Sequence, residues 1–64
     1  LKKLSESRLQ KIVGDAHEFK EDIVDGQVSR YDVYVDKSSG YLFIIAKSWG
    51  DPIPTYFNMY DDAA

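Results

Sequence analysis

The apolar residues of this chain change their spacing once, near Ser29, from the 3.6-residue period of a helix to the 2-residue period of a strand. That switch limits the fold to helices first and a sheet second. Before it, Leu4 and Leu9 bracket Ser5 as a hydrophobic staple brackets an N-cap, Ile12 and Val13 extend the stripe, and Gly14 stops it. Asp15 then opens a second helix, because Glu18 follows as in a capping box and Ala16, Phe19 and Ile23 recur at helical spacing; Gly26 closes it. After the switch, Tyr31, Val33 and Val35 alternate with Asp32, Tyr34 and Asp36 in a strand over 29–36. Lys37 to Gly40 forms a turn ending in a residue free to take positive φ, so Tyr41 to Ala46 returns antiparallel. This second run is apolar on both faces, which predicts a central strand. Gly50, Asp51, Pro52 and Pro54 make 47–54 a loop, and alternation resumes from Thr55 to Tyr60 as a third strand. The prediction is an α+β fold: two N-terminal helices packed on a three-stranded antiparallel β-meander. It forms a single domain over residues 1–64, with 61–64 as a frayed tail.

A chain of 64 residues buries a small core, and three Phe, five Tyr and one Trp are expected to make that core aromatic-rich. Eight Lys and Arg against eleven Asp and Glu give a net charge of -3, which argues against nucleic-acid binding driven by net charge alone. No cysteine means no disulfide and no thiolate metal site, and a single His builds no histidine-based zinc site unaided. No metal and no cofactor are therefore expected. The longest apolar run, Tyr41 to Ala46, is too short to cross a bilayer, so no membrane anchor is expected.

His17 is the one side chain that ordinarily titrates near neutrality, and any acid–base chemistry starts there. With Ala16, Phe19 and Ile23 facing the core, His17 and Lys20 share another face of the second helix, where they can bind and protonate a phosphodiester. The ordinary alternative is a solvated face in which Lys20 pairs with neighbouring acids. Asp32 and Asp36, on the outer side of the first strand with Tyr34, suit acid–base work or a hard cation, but edge protection and turn initiation explain them more simply. The loop is richer. Trp49 can stack on a base, Lys47 can hold phosphate and Thr55 can donate a hydrogen bond, unless Trp49 folds over the open sheet to complete the core. Tyr31, Tyr34, Tyr41, Tyr56 and Tyr60 fall on predicted strands, where packing is the usual role. The first helix is basic and the second acidic, which can orient a partner or simply mark two solvated faces.

The order of residues adds a resemblance. Leu4-Ser5, Ile12, Gly14-Asp15-Ala16-His17-Glu18-Phe19-Lys20, Ser29-Arg30-Tyr31-Asp32-Val33-Tyr34, Asp36-Lys37, Gly40, Lys47 and Pro54-Thr55 with Asn58 together resemble a bacterial polymorphic-toxin domain, the type numbered 33. The likeness runs from about Leu4 to Asn58. Its most specific parts are the His-Glu-x-Lys of the second helix, the hairpin pattern around Asp36-Lys37, and the Pro-Thr.

Such domains resemble the barnase, EndoU, colicin and RelE group of small metal-independent ribonucleases. The resemblance implies a secreted or delivered effector domain that acts in the target-cell cytoplasm and is neutralised by a cognate immunity protein. It implies a monomer, or a heterodimer with that protein, and an RNA substrate such as tRNA or ribosomal RNA. A start at Leu1 fits a domain cut from a longer polypeptide. Matched position by position, His17, Lys20, Lys47 and Thr55 are the catalytic candidates; the loop and the hairpin turn themselves, not the match, offer Ser48, Trp49 and Lys37 for binding substrate. The implied reaction is transesterification by the 2′-OH, with His17 as general base or general acid, the acid being the role that Glu21 one turn on favours. The family places further lysines where this chain has Val35 and Ile45, and glycines near Ser48-Trp49 and Tyr56. Two other readings follow from those departures and from the acidic balance. One is a small non-catalytic protein-binding module such as an immunity protein or inhibitor, anchored by Trp49 and the tyrosines; the other is an inactive relative of the toxin.

Overall fold

The computed structural model describes residues 1–61. Helix α1 (Glu6–Val13) and helix α2 (Ala16–Val24) precede a single 3₁₀ turn at Val28–Arg30, and they lie among strands β1 (Lys2–Lys3), β2 (Tyr31–Val35), β3 (Tyr41–Ala46) and β4 (Ile53–Asn58). The strands form one antiparallel sheet in the order β1-β2-β3-β4. The class is α+β as expected, and the sheet has four strands where three are predicted. The additional β1 is two lysines long, too short and too polar to carry an alternation signal. The tail assigned to 61–64 lies, apart from Asp61, outside the described residues.

Both helix starts form as the sequence dictates. Ser5 Oγ accepts from the Arg8 N–H at 3.2 Å and Asp15 Oδ1 from the Glu18 N–H at 3.1 Å, each satisfying a donor that the helix cannot pair internally. Gly14 stops α1 at φ 92°, whereas the left-handed cap of α2 is Asp25 at φ 57°, one residue before the expected Gly26. Residues 28–30 make a 3₁₀ turn, so β2 starts two residues later than predicted. Strand β4 starts two residues earlier and contains Pro54, which an edge strand tolerates because one row of its N–H groups faces no partner.

The helices cover one face of the sheet. Leu9 and Ala16 from the helices meet Val33, Val35, Leu42 and Ile44 from β2 and β3, with Phe19, Ile23, Ile53 and Phe57 packed around them. Leu42 and Ile44 are fully buried, each contributing about 1.5–3 kcal/mol of hydrophobic stabilisation. The core is therefore aliphatic, which corrects the expectation of an aromatic one. Phe19 and Phe57 meet edge to face at 5.7 Å on its border, whereas Trp49 is 86% exposed and Tyr56 85%. The β2–β3 register pairs Val33 with Ile44 and Val35 with Leu42. Those branched residues fill the inward positions, and the rings go to the rim and the outer face.

The hairpin turn is pinned from two sides. Asp36 Oδ1 accepts from the Ser38 hydroxyl at 2.7 Å and from the Ser38 N–H at 3.1 Å, and these bonds hold the Asp36 carboxyl below the usual carboxylate range. An unperturbed Asp titrates near pH 3.9, so the folded state favours the carboxylate. The stabilisation is complete above about pH 4 and is lost as pH falls through the lower folded value. Thermal melts of wild type and Asp36→Asn, which keeps an acceptor oxygen but does not titrate, check this. The difference between them should shrink as pH is lowered from 5 to 2.5; a constant difference contradicts it.

In β4 the register against β3 slips between Tyr41 and Phe43. Tyr56, within that irregular stretch, adopts φ 62°, a left-handed conformation costing a bulky L-residue about 1–2 kcal/mol. Because its ring is largely exposed, Tyr56→Gly removes strain and little packing. We expect that variant to be more stable by about 0.5–1 kcal/mol in urea titration, and a lower urea midpoint would contradict the left-handed assignment.

Candidate functional site

The three lysine- and histidine-bearing positions come together at one edge of the sheet. Strand β1 pairs only with Tyr34 and Val35, and the Leu4 N–H adds one bond to the Val33 carbonyl at 2.9 Å. The edge of β2 beyond that point is open. A cleft of about 420 Å³ lies there, and His17, Lys20 and Lys47 all line it, together with Lys3, Ser29 and Asp32.

Each side chain arrives from a different element. His17 and Lys20, three apart on α2, share a face because Ala16 and Phe19 are turned to the core. Lys47 follows β3, and its N–H donates to the Arg30 carbonyl at 2.8 Å, extending the hairpin by one bond. Lys20 Nζ donates to the Tyr31 carbonyl at 3.2 Å, so the ammonium satisfies a sheet-edge acceptor that β1 is too short to reach. An ammonium has three donors, which leaves two for a ligand. His17 Nε2 lies 3.9 Å from Glu21 Oε2, an exposed pair that is ionic whenever the imidazole carries a proton.

The charge of the cleft differs from that of the molecule. Lys3, Lys20 and Lys47 stand against Glu6 and Asp32, an excess of one positive charge before His17 is counted, in a chain of net charge -3. Asp32 is itself 3.5 Å from Lys3. A concave site with converging cations, an imidazole and hydroxyls can hold an oxyanion and move a proton at it.

The other candidates lie elsewhere. Thr55 sits at the β3–β4 irregularity, where its hydroxyl donates to the Leu42 carbonyl at 2.8 Å and accepts from the Phe57 N–H at 3.1 Å. It replaces backbone pairing there and does not line the cleft. Lys37 lies in the hairpin turn, roughly 20 Å along the strands from Lys47. Its carbonyl accepts from the Tyr60 hydroxyl at 2.8 Å. Trp49 neither lines the cleft nor covers the core. Ser48 lines a shallower depression with Ser29, Arg30 and Lys47 that adjoins the cleft. Asp36 is committed to the turn and Asp32 to Lys3, so the two carboxylates do not form a pair. Among the described residues no three His, Asp or Glu side chains come together as a metal-ligating group.

Sequence reasoning missed Lys3, Ser29 and Arg30. Lys3 gives no local signal, because only the β1–β2 pairing brings it to the cleft. For Arg30 a signal was present: the observed register sets Tyr31 against Ala46, which puts Arg30 opposite Lys47. The lysines that the resemblance leads one to expect are absent at Val35 and Ile45; Val35 is buried in the core and Ile45 pairs with Asp32. No family model, curated protein or solved structure matches the chain. No helix among the described residues is long and apolar enough to cross a membrane.

Proposed function

We propose that this domain is a metal-independent ribonuclease, a toxin domain of a bacterial competition system that cleaves RNA by attack of a 2′-OH on the adjacent phosphorus. The observation that carries the reading is the meeting of His17, Lys20 and Lys47 in one cleft, although α2 and the end of β3 are separated by most of the sheet sequence. In the proposed step the 2′-oxygen–phosphorus bond forms as the phosphorus–5′-oxygen bond breaks. His17 gives its proton to the departing 5′-oxygen, and the proton of the 2′-OH passes to a base, for which the cleft offers Asp32 and Glu6. Lys20 and Lys47 hold the charge that builds on the non-bridging oxygens. The products are a 2′,3′-cyclic phosphate and a 5′-OH. Thr55, bound into the sheet, has no role in this step. The proposed setting is delivery into a target cell, with an immunity protein as partner.

Incubation with tRNA and ribosomal RNA tests the reading. Discrete fragments and a raised melting temperature on adding a non-cleavable RNA support it, since a ligand that binds the native state stabilises it. Intact RNA and an unmoved melting temperature overturn it.

A second reading has its own observation. Tyr41, Phe43, Pro54 and Tyr56 line an open hollow on the uncovered side of the sheet, and Trp49 projects nearby in sequence from the following loop. Exposed rings of this kind suit a protein-binding module. That reading gains if a protein partner raises the melting temperature and RNA does not.

A further inference from the structure

We propose that the depression lined by Ser29, Arg30, Lys47 and Ser48 is a second phosphate subsite, anchored by Arg30, through which the cleft selects a polynucleotide strand over a mononucleotide. The proposal rests on the ribonuclease reading and adds to it the number of phosphates the site takes.

Three observations carry it. The depression, about 280 Å³, shares Ser29 and Lys47 with the main cleft, so the two hollows adjoin along those residues. Its lining contains two cations and two hydroxyls and no carboxylate, whereas the main cleft sets Glu6 and Asp32 against its lysines. A phosphate seated in the depression therefore meets only cations and hydroxyls among the charged and polar side chains that line it. The backbone under both cations is also fixed. Arg30 donates its N–H to the Gln27 carbonyl at 3.0 Å and accepts from the Lys47 N–H at 2.8 Å, holding the start of β2 and the end of β3 face to face. The Arg30 side chain is exposed, and among the described residues its guanidinium has no carboxylate within ion-pair distance. A planar fork of donors on a fixed base suits bidentate phosphate binding.

A two-phosphate site distinguishes this cleft from one built for a free nucleotide. Lys47, common to both hollows, is then the bridge between the scissile phosphate and its neighbour. An acidic peptide also carries spaced negative charge, but carboxylates and phosphates differ in the number of acceptor oxygens they offer the fork, and the test separates them.

The test uses 2′-O-methyl oligonucleotides, which lack the nucleophilic hydroxyl and survive, with one, two and three phosphates, titrated by fluorescence anisotropy at several salt concentrations. Wild type should gain about tenfold in affinity between one and two phosphates, the weight of one charge-assisted contact. Arg30→Ala should lose that step, with its salt slope reduced by about 0.7, the value of one phosphate contact on a single strand. Arg30→Lys should recover part of it. Unchanged melting of Arg30→Ala guards against a folding defect, and if that variant is unfolded, Arg30→Gln supplies the uncharged comparison. An Arg30→Ala protein that keeps both the step and the slope overturns the subsite while cleavage by wild type leaves the ribonuclease reading standing. Equal competition by an oligoglutamate of matched charge also overturns it. Wild type that neither binds any of the oligonucleotides nor cleaves RNA removes both.

Discussion

His17→Ala should lower RNA cleavage by about 10²–10⁴-fold, the range that a positioned general acid supplies, while leaving the fold intact. The side chain is 68% exposed, and its one ionic neighbour, Glu21, is 55% exposed, so the pair contributes little to stability. Alanine is also the best helix former, and position 17 lies in the first turn of α2. Stability should therefore stay within about 0.5 kcal/mol of wild type. The contrast is Lys20→Ala, which removes a cation from the cleft and also leaves the Tyr31 carbonyl without its donor. That variant should lose both activity and about 1 kcal/mol of stability. Circular dichroism melts with single-turnover cleavage separate the two. A folded His17→Ala protein that cleaves at the wild-type rate removes the imidazole from the reaction.

Gly40→Ala should be the most damaging single-methyl change in the fold. Gly40 has φ 88°, where an L side chain is strained, and a Cβ there would lie 2.5 Å from Tyr60 Cδ2 and 2.6 Å from Asn58 Oδ1. Neither neighbour is free to withdraw. The Tyr60 hydroxyl donates to the Lys37 carbonyl, its N–H donates to Asn58 Oδ1, and Asn58 Nδ2 donates to the Ser39 carbonyl. The Met59 N–H also donates to the Gly40 carbonyl at 2.9 Å. Backbone strain and the forced displacement together cost about 2–4 kcal/mol. For a 64-residue domain the total stability is about 3–10 kcal/mol, so much of it is lost. Urea titration should show a large fall in midpoint, partly recovered in Gly40→Ala with Tyr60→Ala, because removing the ring opens space for the methyl. A Gly40→Ala midpoint equal to that of wild type contradicts the packing of Asn58 and Tyr60 against the hairpin turn.

How far the fold could be read from the sequence depends on how local its causes are. Ser5 and Asp15 cap their helices through side chains three residues from the donors they satisfy, and the hairpin follows from the alternation of Tyr31 to Val35 and the left-handed Gly40. These are short-range effects. Strand β1 is different, since its two lysines pair only because Tyr34 and Val35 have an open edge once the fold has formed. The bulge at Tyr56, and the two-residue shift of β4 that allows Pro54 within it, likewise depend on pairing with β3.

The candidate site divides along the same line. The i, i+3 spacing of His17 and Lys20 puts them on one helix face, whereas Lys47 is legible only as a cation of the loop after β3, and its meeting with the helix pair depends on the fold. Thr55 and Trp49 lie away from the cleft because their surroundings are set by tertiary pairing: one hydroxyl is taken up by the Leu42 carbonyl, and the indole is exposed on the loop and lines neither cleft nor core. The preference for an aromatic core failed because β2 and β3 bring enough branched aliphatics to fill the inner face, leaving the rings to the outside.

The chemistry of the RNA ends tests the central proposal most directly. Wild type and His17→Ala are incubated with tRNA and ribosomal RNA in excess EDTA, and the termini of any fragments are determined. Fragments bearing 2′,3′-cyclic phosphate and 5′-OH ends from wild type, and none from the folded variant, are the predicted result. Intact RNA with folded wild type, or fragments bearing 5′-phosphate ends that persist in the variant, would contradict it.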